Sequence, residues 1–143
     1  MQYHLIPPSS LAPTEEIDPI WAAELRRQIL ELGQWTVPIA IEKDALFVMD
    51  GHHRLSVALD LGLAAVPVVP LDYSTVKLEC WRPEETVTPT QIFAMARSGR
   101  KFPCKTTRHI FERSLPTCAI PLTSLRLPAP TTCLSEARQG VRA

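Results

Sequence analysis

The segment of residues 45–62, ALFVMDGHHRLSVALDLG, decides the fold, because it joins a strand, a sharp turn and a helix without a linker. Ala45 to Met49 is a short run of β-forming residues that stops at Asp50-Gly51. The helix that follows ends at Gly62 and carries these apolar residues at helical spacing: Leu55, Ala58, Leu59 and Leu61. Free N–H groups and the positive end of the helix dipole meet at this turn, which therefore favours an anion.

The residues before this segment predict a helix and the first strand of a hairpin. Asp18 can cap a helix that has Pro19 in its first position and ends at Gly33. Val37 to Glu42 is a β-rich run that pairs with Ala45 to Met49 across a short turn. Helical spacing assigns four residues of the helix to the core, and Trp35 is assigned there as well: Trp21, Leu25, Ile29 and Leu32.

Two further strands follow the central segment. Val66 to Tyr73 is extended, but Pro67 and Pro70 cannot donate ladder hydrogen bonds, so we expect this strand at a sheet edge or irregular. Val76 to Trp81 has the composition of a regular strand.

The rest of the chain is predicted to hold one helix and several irregular segments. Thr88 to Gln91 resembles a capping box that opens a helix closing near Gly99. Three later segments are predicted in turn as a loop, one helical turn and an apolar stretch that packs back on the body: Lys101 to His109, Ile110 to Leu115, and Ile120 to Leu125.

The order α, β, β, α, β, β, α around one small core predicts an α/β (α+β) fold, with a small mixed sheet packed by short helices. We expect one domain over residues 1–126. Residues 127–143 are expected to form a flexible tail, because they contain two prolines and few large apolar groups to offset the entropy lost on ordering.

Composition excludes several classes of protein. The 143 residues include 15 Lys and Arg against 15 Asp and Glu, so a histone-like or polybasic role is excluded and nucleic acid is not expected as a partner. No apolar run reaches membrane-spanning length and the N-terminus does not resemble a signal peptide, so we expect a soluble, cytoplasmic protein. The four cysteines contain no C-x-x-C pair, and we expect reduced thiols.

The turn Asp50-Gly51-His52-His53-Arg54 combines groups that suit a phosphate. Gly51 lets the backbone approach closely, and Arg54 adds a fork-shaped donor. Asp50 would repel a phosphate unless a divalent cation joined them, which points to a nucleotide with Mg²⁺. The alternative is that Asp50 only caps the helix and that both imidazoles are surface or core groups.

A second cluster, Lys105 to His109, packs three potential cations and two hydroxyl groups into a short stretch. Such density suits an anionic group such as a phosphate or a carboxylate. The alternative is a solvated basic loop.

Together, DGHHR at residues 50–54 and FPCKTTRH at residues 102–109 resemble the free L-serine kinases of the ParB/sulfiredoxin-like superfamily. Further similarity spans about residues 4–125 and includes Leu11 to Glu16, Leu61-Gly62, Leu71 to Tyr73, and Trp81. The resemblance implies a compact ParB/sulfiredoxin-like domain. It also implies Mg²⁺-dependent phosphoryl transfer from ATP or ADP to the hydroxyl of free serine.

The resemblance also assigns a role to each matching residue. Glu15, rather than its neighbour Glu16, would accept the proton of the serine hydroxyl, although an acidic residue near a helix start can simply offset the helix dipole. Asp50 would be the metal-binding or catalytic aspartate, and His53 would face the transferred group. The remaining residues divide into nucleotide-binding positions, Gly51, His52 and Arg54, and substrate-binding positions, Trp81, Lys105, Thr106, Thr107, Arg108 and His109. Trp81 could instead be an ordinary core aromatic residue.

Other functions of the superfamily fit less well. Longer serine kinases have many more residues between the tryptophan and the K-T-T-R-H motif, where this chain has only Arg82 to Lys101. Sulfiredoxin needs a cysteine where His52 stands, and a nuclease would need an acidic metal cluster. A ParB-like nucleotide-binding regulator without kinase activity is the main alternative, but residues 110–143 are too short and proline-rich for a helix-turn-helix.

Overall fold

The computed structural model describes residues 2–82 and 85–127. The strands are β1 (His4–Ile6), β2 (Gln34–Trp35), β3 (Ile39–Glu42), β4 (Val48–Asp50), β5 (Val66–Leu71), β6 (Val76–Cys80), β7 (Thr107–Phe111) and β8 (Ile120–Pro121). The helices are α1 (Pro19–Leu32), α2 (His52–Asp60), α3 (Pro89–Ser98) and α4 (Leu122–Leu125), and short 3₁₀ turns cover Pro8–Ser10 and Tyr73–Thr75.

The main sheet has four strands in the order β1-β5-β3-β4. Strand β5 pairs antiparallel with β1 and parallel with β3, and β3 and β4 form the antiparallel hairpin that the sequence predicted. Two small two-stranded sheets, β2-β8 and β6-β7, complete the structure. The predicted mixed sheet with short helices is confirmed.

The two longest helices described, α1 and α3, begin and end where the sequence predicted. The side chain of Asp18 accepts hydrogen bonds from the first turn of α1, and Gly33 ends that helix in a left-handed conformation. Thr88 and Gln91 form the reciprocal capping box of α3, which ends at Gly99. In each case the cap satisfies N–H groups that have no partner within the helix.

The expectation that Val66 to Tyr73 forms an edge or irregular strand is wrong, because β5 lies inside the main sheet. The register explains how the prolines are tolerated. Pro67 pairs with Leu5 of β1 but precedes the start of β3, whereas Pro70 pairs with Ile41 of β3 but lies beyond the end of β1. Each proline therefore has a neighbouring strand on one side only. On its open side, no ladder hydrogen bond depends on the N–H that proline lacks.

The expectations of a loop over residues 101–109 and a helical turn over residues 110–115 are also wrong in part. Strand β7 covers Thr107–Phe111 and pairs along its whole length with β6, and no helix follows it up to Leu115. Long-range pairing with β6 overrides the weak local preference of this segment. The stretch from Ile120 does pack back on the body as predicted, since Leu122 and Leu125 are buried.

The core lies mainly between the main sheet and helices α1 and α2. Leu25, Ile29 and Trp35 are buried as predicted. Trp21 and Leu32 are not core residues, since they are 45% and 55% exposed. The helical stripe is buried only in its middle because the two ends of α1 extend past the packed face.

Three cysteines, Cys80, Cys104 and Cys118, are free thiols, as expected. No helix within the described ranges is long and apolar enough to span a membrane. Cys133 and all but the first residue of the predicted tail, that is residues 128–143, lie outside the described residues.

Candidate functional site

A cleft of about 510 Å³ opens where the turn between β4 and α2 meets the start of α1 and the β6-β7 sheet. Nine of the residues predicted for the site line it: Glu15, Asp50, Gly51, His52, His53, Arg54, Trp81, Lys105 and Thr107. The two sequence motifs, which are separated by residues 55–101, about a third of the chain, therefore share one cleft.

The turn brings backbone donors and a guanidinium group to one wall of the cleft. Gly51 has a φ of +113°, and a Cβ atom there would lie 3.2 Å from Cγ2 of Ile39, so the turn requires glycine. Helix α2 begins at the next residue, which leaves the N–H groups of its first turn without helical partners. Burial lowers the pKa of Arg54 and the carboxylate of Asp50 opposes this shift, yet a guanidinium stays charged at neutral pH.

The Glu15 carboxylate is the centre of a buried hydrogen-bond network. Its Oε1 atom accepts the N–H of Thr106 at 3.1 Å, and its Oε2 atom accepts the N–H of Thr107 at 3.2 Å together with the Thr107 hydroxyl. The side chain is only 8% exposed, yet it lines the cleft. Three donors converge on one carboxylate, an arrangement that needs a side chain with two acceptor oxygens.

Main-chain pairing brings the second motif to Glu15. The Phe102 N–H donates to the carbonyl of Thr14 at 2.8 Å, and the Glu16 N–H donates to the carbonyl of Phe102 at 2.8 Å. These two bonds fix the backbone on both sides of Glu15. The chain after Phe102 then turns so that the N–H groups of Thr106 and Thr107 donate to the Glu15 carboxylate.

Both histidines of the turn accept hydrogen bonds from the backbone of the segment that precedes α1. Nε2 of His52 accepts the Thr14 N–H at 3.1 Å, and Nε2 of His53 accepts the Asp18 N–H at 2.9 Å. A ring nitrogen that accepts an N–H carries no proton, so both rings are in the Nδ1–H form. Burial lowers the pKa of His52 to about 3, and burial also lowers the pKa of His53.

Trp81 and Arg108 form a stacked pair at the cleft wall. Cζ of Arg108 lies 4.8 Å from the centre of the Trp81 ring, which is a cation–π distance. Trp81 is 53% exposed, so it is not the core aromatic residue that the alternative interpretation required. The pair is held in register by the β6-β7 ladder and by the Trp81 N–H, which donates to the carbonyl of Thr106 at 3.0 Å.

Three predicted site residues do not line the cleft. Thr106 is buried, and its hydroxyl donates to the carbonyl of Pro103 at 2.6 Å. Arg108 does not line the cleft, but its guanidinium stacks on the ring of Trp81, which does. His109 lies 2.9 Å from the hydroxyl of Tyr73 through Nε2, and burial lowers its pKa to about 4.

The cleft also contains residues that the sequence did not assign to it: Glu16, Asp18, Trp21 and Met49. Trp21 is the largest of them, and its helical spacing had indicated the core. Its position in the first turn of α1, shortly after Glu15, was the signal that could have placed it beside the site.

The residues of the cleft fit Mg²⁺ that arrives with a nucleotide better than a resident metal. No group of three or more His, Cys, Asp or Glu residues in the part of the chain that the structure describes is arranged to hold an ion. Asp50 is an exposed carboxylate beside the start of α2, where backbone N–H groups have no helical partners. One carboxylate with phosphate oxygens and water is a typical environment for Mg²⁺.

Comparison with known proteins supports the resemblance. No protein-family profile matches the chain. An ATP-dependent L-serine kinase of Staphylothermus marinus is 36% identical over an alignment of 85 positions, which covers 55% of this chain and 34% of that protein. A ParB-like protein of Sulfolobus acidocaldarius is 30% identical over 78 residues, which are 54% of this chain and 39% of that protein. The chain thus spans well under half the length of these curated relatives.

A solved free serine kinase in complex with AMP superimposes with a TM-score of 0.81 at 15% sequence identity, over 87% of this chain and 94% of the other. At that identity the likeness establishes a shared fold. The chain therefore resembles free serine kinases in fold, and one such enzyme also in sequence over about half of its residues.

Proposed function

We propose that this protein, which shares its fold with a free serine kinase, is a nucleotide-dependent kinase that phosphorylates free L-serine to O-phospho-L-serine. One observation carries the proposal: the buried Glu15 carboxylate is held by Thr106 and Thr107 of the second motif, in the cleft that the first motif lines. Two motifs that resemble those of serine kinases thus meet around a suitably placed base.

The turn supplies the site for the phosphates of the nucleotide. The free N–H groups at the start of α2 and the guanidinium of Arg54 would bind the phosphate oxygens, and Gly51 would allow their close approach. Asp50 would hold Mg²⁺ together with the phosphates, and that ion would offset the negative charge of the transferred group. ATP is the donor that the sequence relative favours, since that relative is named ATP-dependent.

Serine would bind between Glu15 and the opposite wall of the cleft. The ammonium group of Lys105 and the guanidinium of Arg108 are the cations available to its carboxylate, and the Trp81 ring would cover its apolar side. Glu15 would accept the hydroxyl proton while the serine oxygen attacks the terminal phosphorus in line. The bond to the leaving nucleotide oxygen would break as the new P–O bond forms. The reaction would occur in the cytoplasm, where nucleotides and free amino acids are available.

A ParB-like regulator that binds nucleotide without transferring phosphate is the second candidate, because the chain also matches a ParB-like protein. Two features favour the kinase. The segment after α3 forms strand β7 instead of a helix-turn-helix, and the formal net charge is zero.

A direct assay tests the proposal. The purified protein is incubated with Mg²⁺, with ATP or ADP, and with a panel of free amino acids, and phosphorylated products are detected by mass spectrometry. We expect O-phosphoserine to form only with both serine and nucleotide present, and to be lost with EDTA. Nucleotide binding without transfer to any hydroxyl amino acid would refute the kinase and support the regulator.

A further inference from the structure

The resemblance assigned His52 to the nucleotide phosphates, but its Nε2 atom is already engaged. Nε2 accepts the N–H of Thr14 at 3.1 Å and lies 3.2 Å from the Thr14 hydroxyl. Without a proton on Nε2, the ring cannot donate from that atom to a phosphate oxygen.

Thr14 precedes Glu15 directly and is 2% exposed. Its carbonyl accepts the N–H of Phe102 at 2.8 Å, while its N–H donates to His52. Thr14 thus connects the second motif to the first turn of α2. A buried N–H without a partner is strongly unfavourable, so loss of the His52 acceptor would displace this segment.

We infer that His52 is a positioning residue, which holds Thr14 and therefore the Glu15 carboxylate at a fixed distance from the phosphate-binding turn. The inference rests on the proposed kinase function for its catalytic consequence. Its structural half, a hydrogen bond from Thr14 to position 52, stands on the geometry alone. The histidine acts on the base through the backbone, and its Nε2 atom is not available to the phosphates.

A set of three substitutions separates this role from phosphate binding. In His52→Gln, the side-chain oxygen lies the same number of bonds from the backbone as Nε2 and can accept the Thr14 N–H. His52→Asn offers an acceptor that is one bond too short, and His52→Leu offers none. A matched control, Thr14→Val, removes the Thr14 hydroxyl but keeps its N–H.

We expect His52→Leu and His52→Asn to lower kcat by roughly 10- to 100-fold, since small misplacements of a catalytic group have large effects on rate. The Kd for ATP should stay within about twofold of the original value, because the phosphate donors are untouched. His52→Gln should recover most of kcat, and Thr14→Val should resemble the unsubstituted protein. A tenfold or larger rise in the Kd for ATP, with kcat unchanged, would identify His52 as a phosphate ligand and overturn the inference.

Amide hydrogen exchange gives a readout that needs no kinase activity. The Thr14 N–H should be protected in the unsubstituted protein and in His52→Gln, and should exchange at least tenfold faster in His52→Asn. The Asn variant keeps a polar side chain and serves if His52→Leu does not fold. Equal protection of Thr14 in all variants would overturn the inference even if the protein is a kinase. An inactive parent protein with the expected exchange pattern would refute only the proposed function.

Discussion

Thr107 and Glu15 lie 92 positions apart in the sequence and meet through two hydrogen bonds to the same carboxylate oxygen. One comes from the Thr107 N–H and the other from its hydroxyl. The carboxylate therefore joins the beginning of the chain to the start of β7, in addition to any part in catalysis. Substitutions of Glu15 should accordingly affect both stability and turnover, and the two effects can be measured separately.

Replacement of Glu15 with glutamine should lower turnover by ~10² or more, because glutamine cannot accept the serine proton. Its NH₂ group would also face the N–H donors of Thr106 or Thr107, so the free energy of unfolding should fall by about 1–3 kcal/mol. Steady-state kinetics and urea unfolding measure the two effects. Glu16→Gln is the matched control, since Glu16 is exposed at the same cleft. Unchanged turnover in Glu15→Gln would remove Glu15 from the mechanism.

Replacement of Gly51 with alanine should destabilise the protein and weaken nucleotide binding. The added Cβ would lie 3.2 Å and 3.3 Å from two carbons of Ile39 in the sheet, and the positive φ adds strain of about 1–2 kcal/mol. Gly62→Ala is the matched control, since Gly62 also has a positive φ but an added Cβ would meet nothing within 4 Å.

Urea unfolding and calorimetric ATP binding should show a larger loss in Gly51→Ala than in Gly62→Ala, and a loss of affinity in Gly51→Ala alone. Equal effects on stability would mean that the close approach to Ile39 contributes nothing beyond backbone strain.

Local signals in the sequence were sufficient to predict helices α1 and α3. Asp18 with Pro19, and Thr88 with Gln91, act within a few residues, so caps and helix bounds could be predicted. The position of β5 inside the sheet could not be predicted in this way. It depends on where β1 and β3 begin relative to Pro67 and Pro70.

The sequence predicted that the two motifs would meet, but not which residues would be hydrogen-bonded to each other. The hydrogen bonds that join Glu15 to Thr107 and His52 to Thr14 depend on the tertiary structure. His109 shows the limit of reading a motif as a unit, because it shares a face of β7 with Thr107 but lies two residues further along the strand. Thr107 lines the cleft, whereas His109 contacts Tyr73.

Replacement of Arg108 with alanine should raise the KM for serine, with little effect on the KM for nucleotide, if its guanidinium binds the serine carboxylate beside Trp81. Because Arg108 is exposed and its ion pair with Glu79 spans 3.8 Å, the free energy of unfolding should change by about 0.5 kcal/mol or less. Glu79→Gln, which removes the same ion pair, is the control and should leave both KM values unchanged. An unchanged KM for serine in Arg108→Ala would exclude this role.

Nucleotide or serine binding should change the fluorescence of two of the three tryptophans. Trp21 and Trp81 line the cleft, whereas Trp35 is 1% exposed in the core. Titration of the single variants Trp21→Phe and Trp81→Phe with ATP and with serine assigns each change to one ring. We expect the serine-dependent change to disappear in Trp81→Phe. A serine-dependent change that survives in that variant would place serine away from Trp81.

Acid should destabilise the fold before most carboxylates titrate, because two partly buried histidines resist protonation. The pKa of His52 is lowered to about 3 and that of His109 to about 4, in each case chiefly by burial. In the unfolded chain both would bind a proton near pH 6.5, so the unfolded state takes up protons that the folded state does not. Their neutral forms leave stability intact above pH 6.5, and stability is lost as the pH falls from there towards the folded pKa values.

The double variant His52→Gln/His109→Gln keeps hydrogen-bonding groups for Thr14 and Tyr73 but removes both titrating groups. Between pH 7 and pH 5, the parent protein should lose roughly 4 kcal/mol more of its free energy of unfolding than the double variant, since each histidine contributes about 1.4 kcal/mol per pH unit below pH 6.5. Urea unfolding at several pH values measures this difference. Parallel pH profiles for the two proteins would show that the histidines are protonated as readily in the folded state as in the unfolded one.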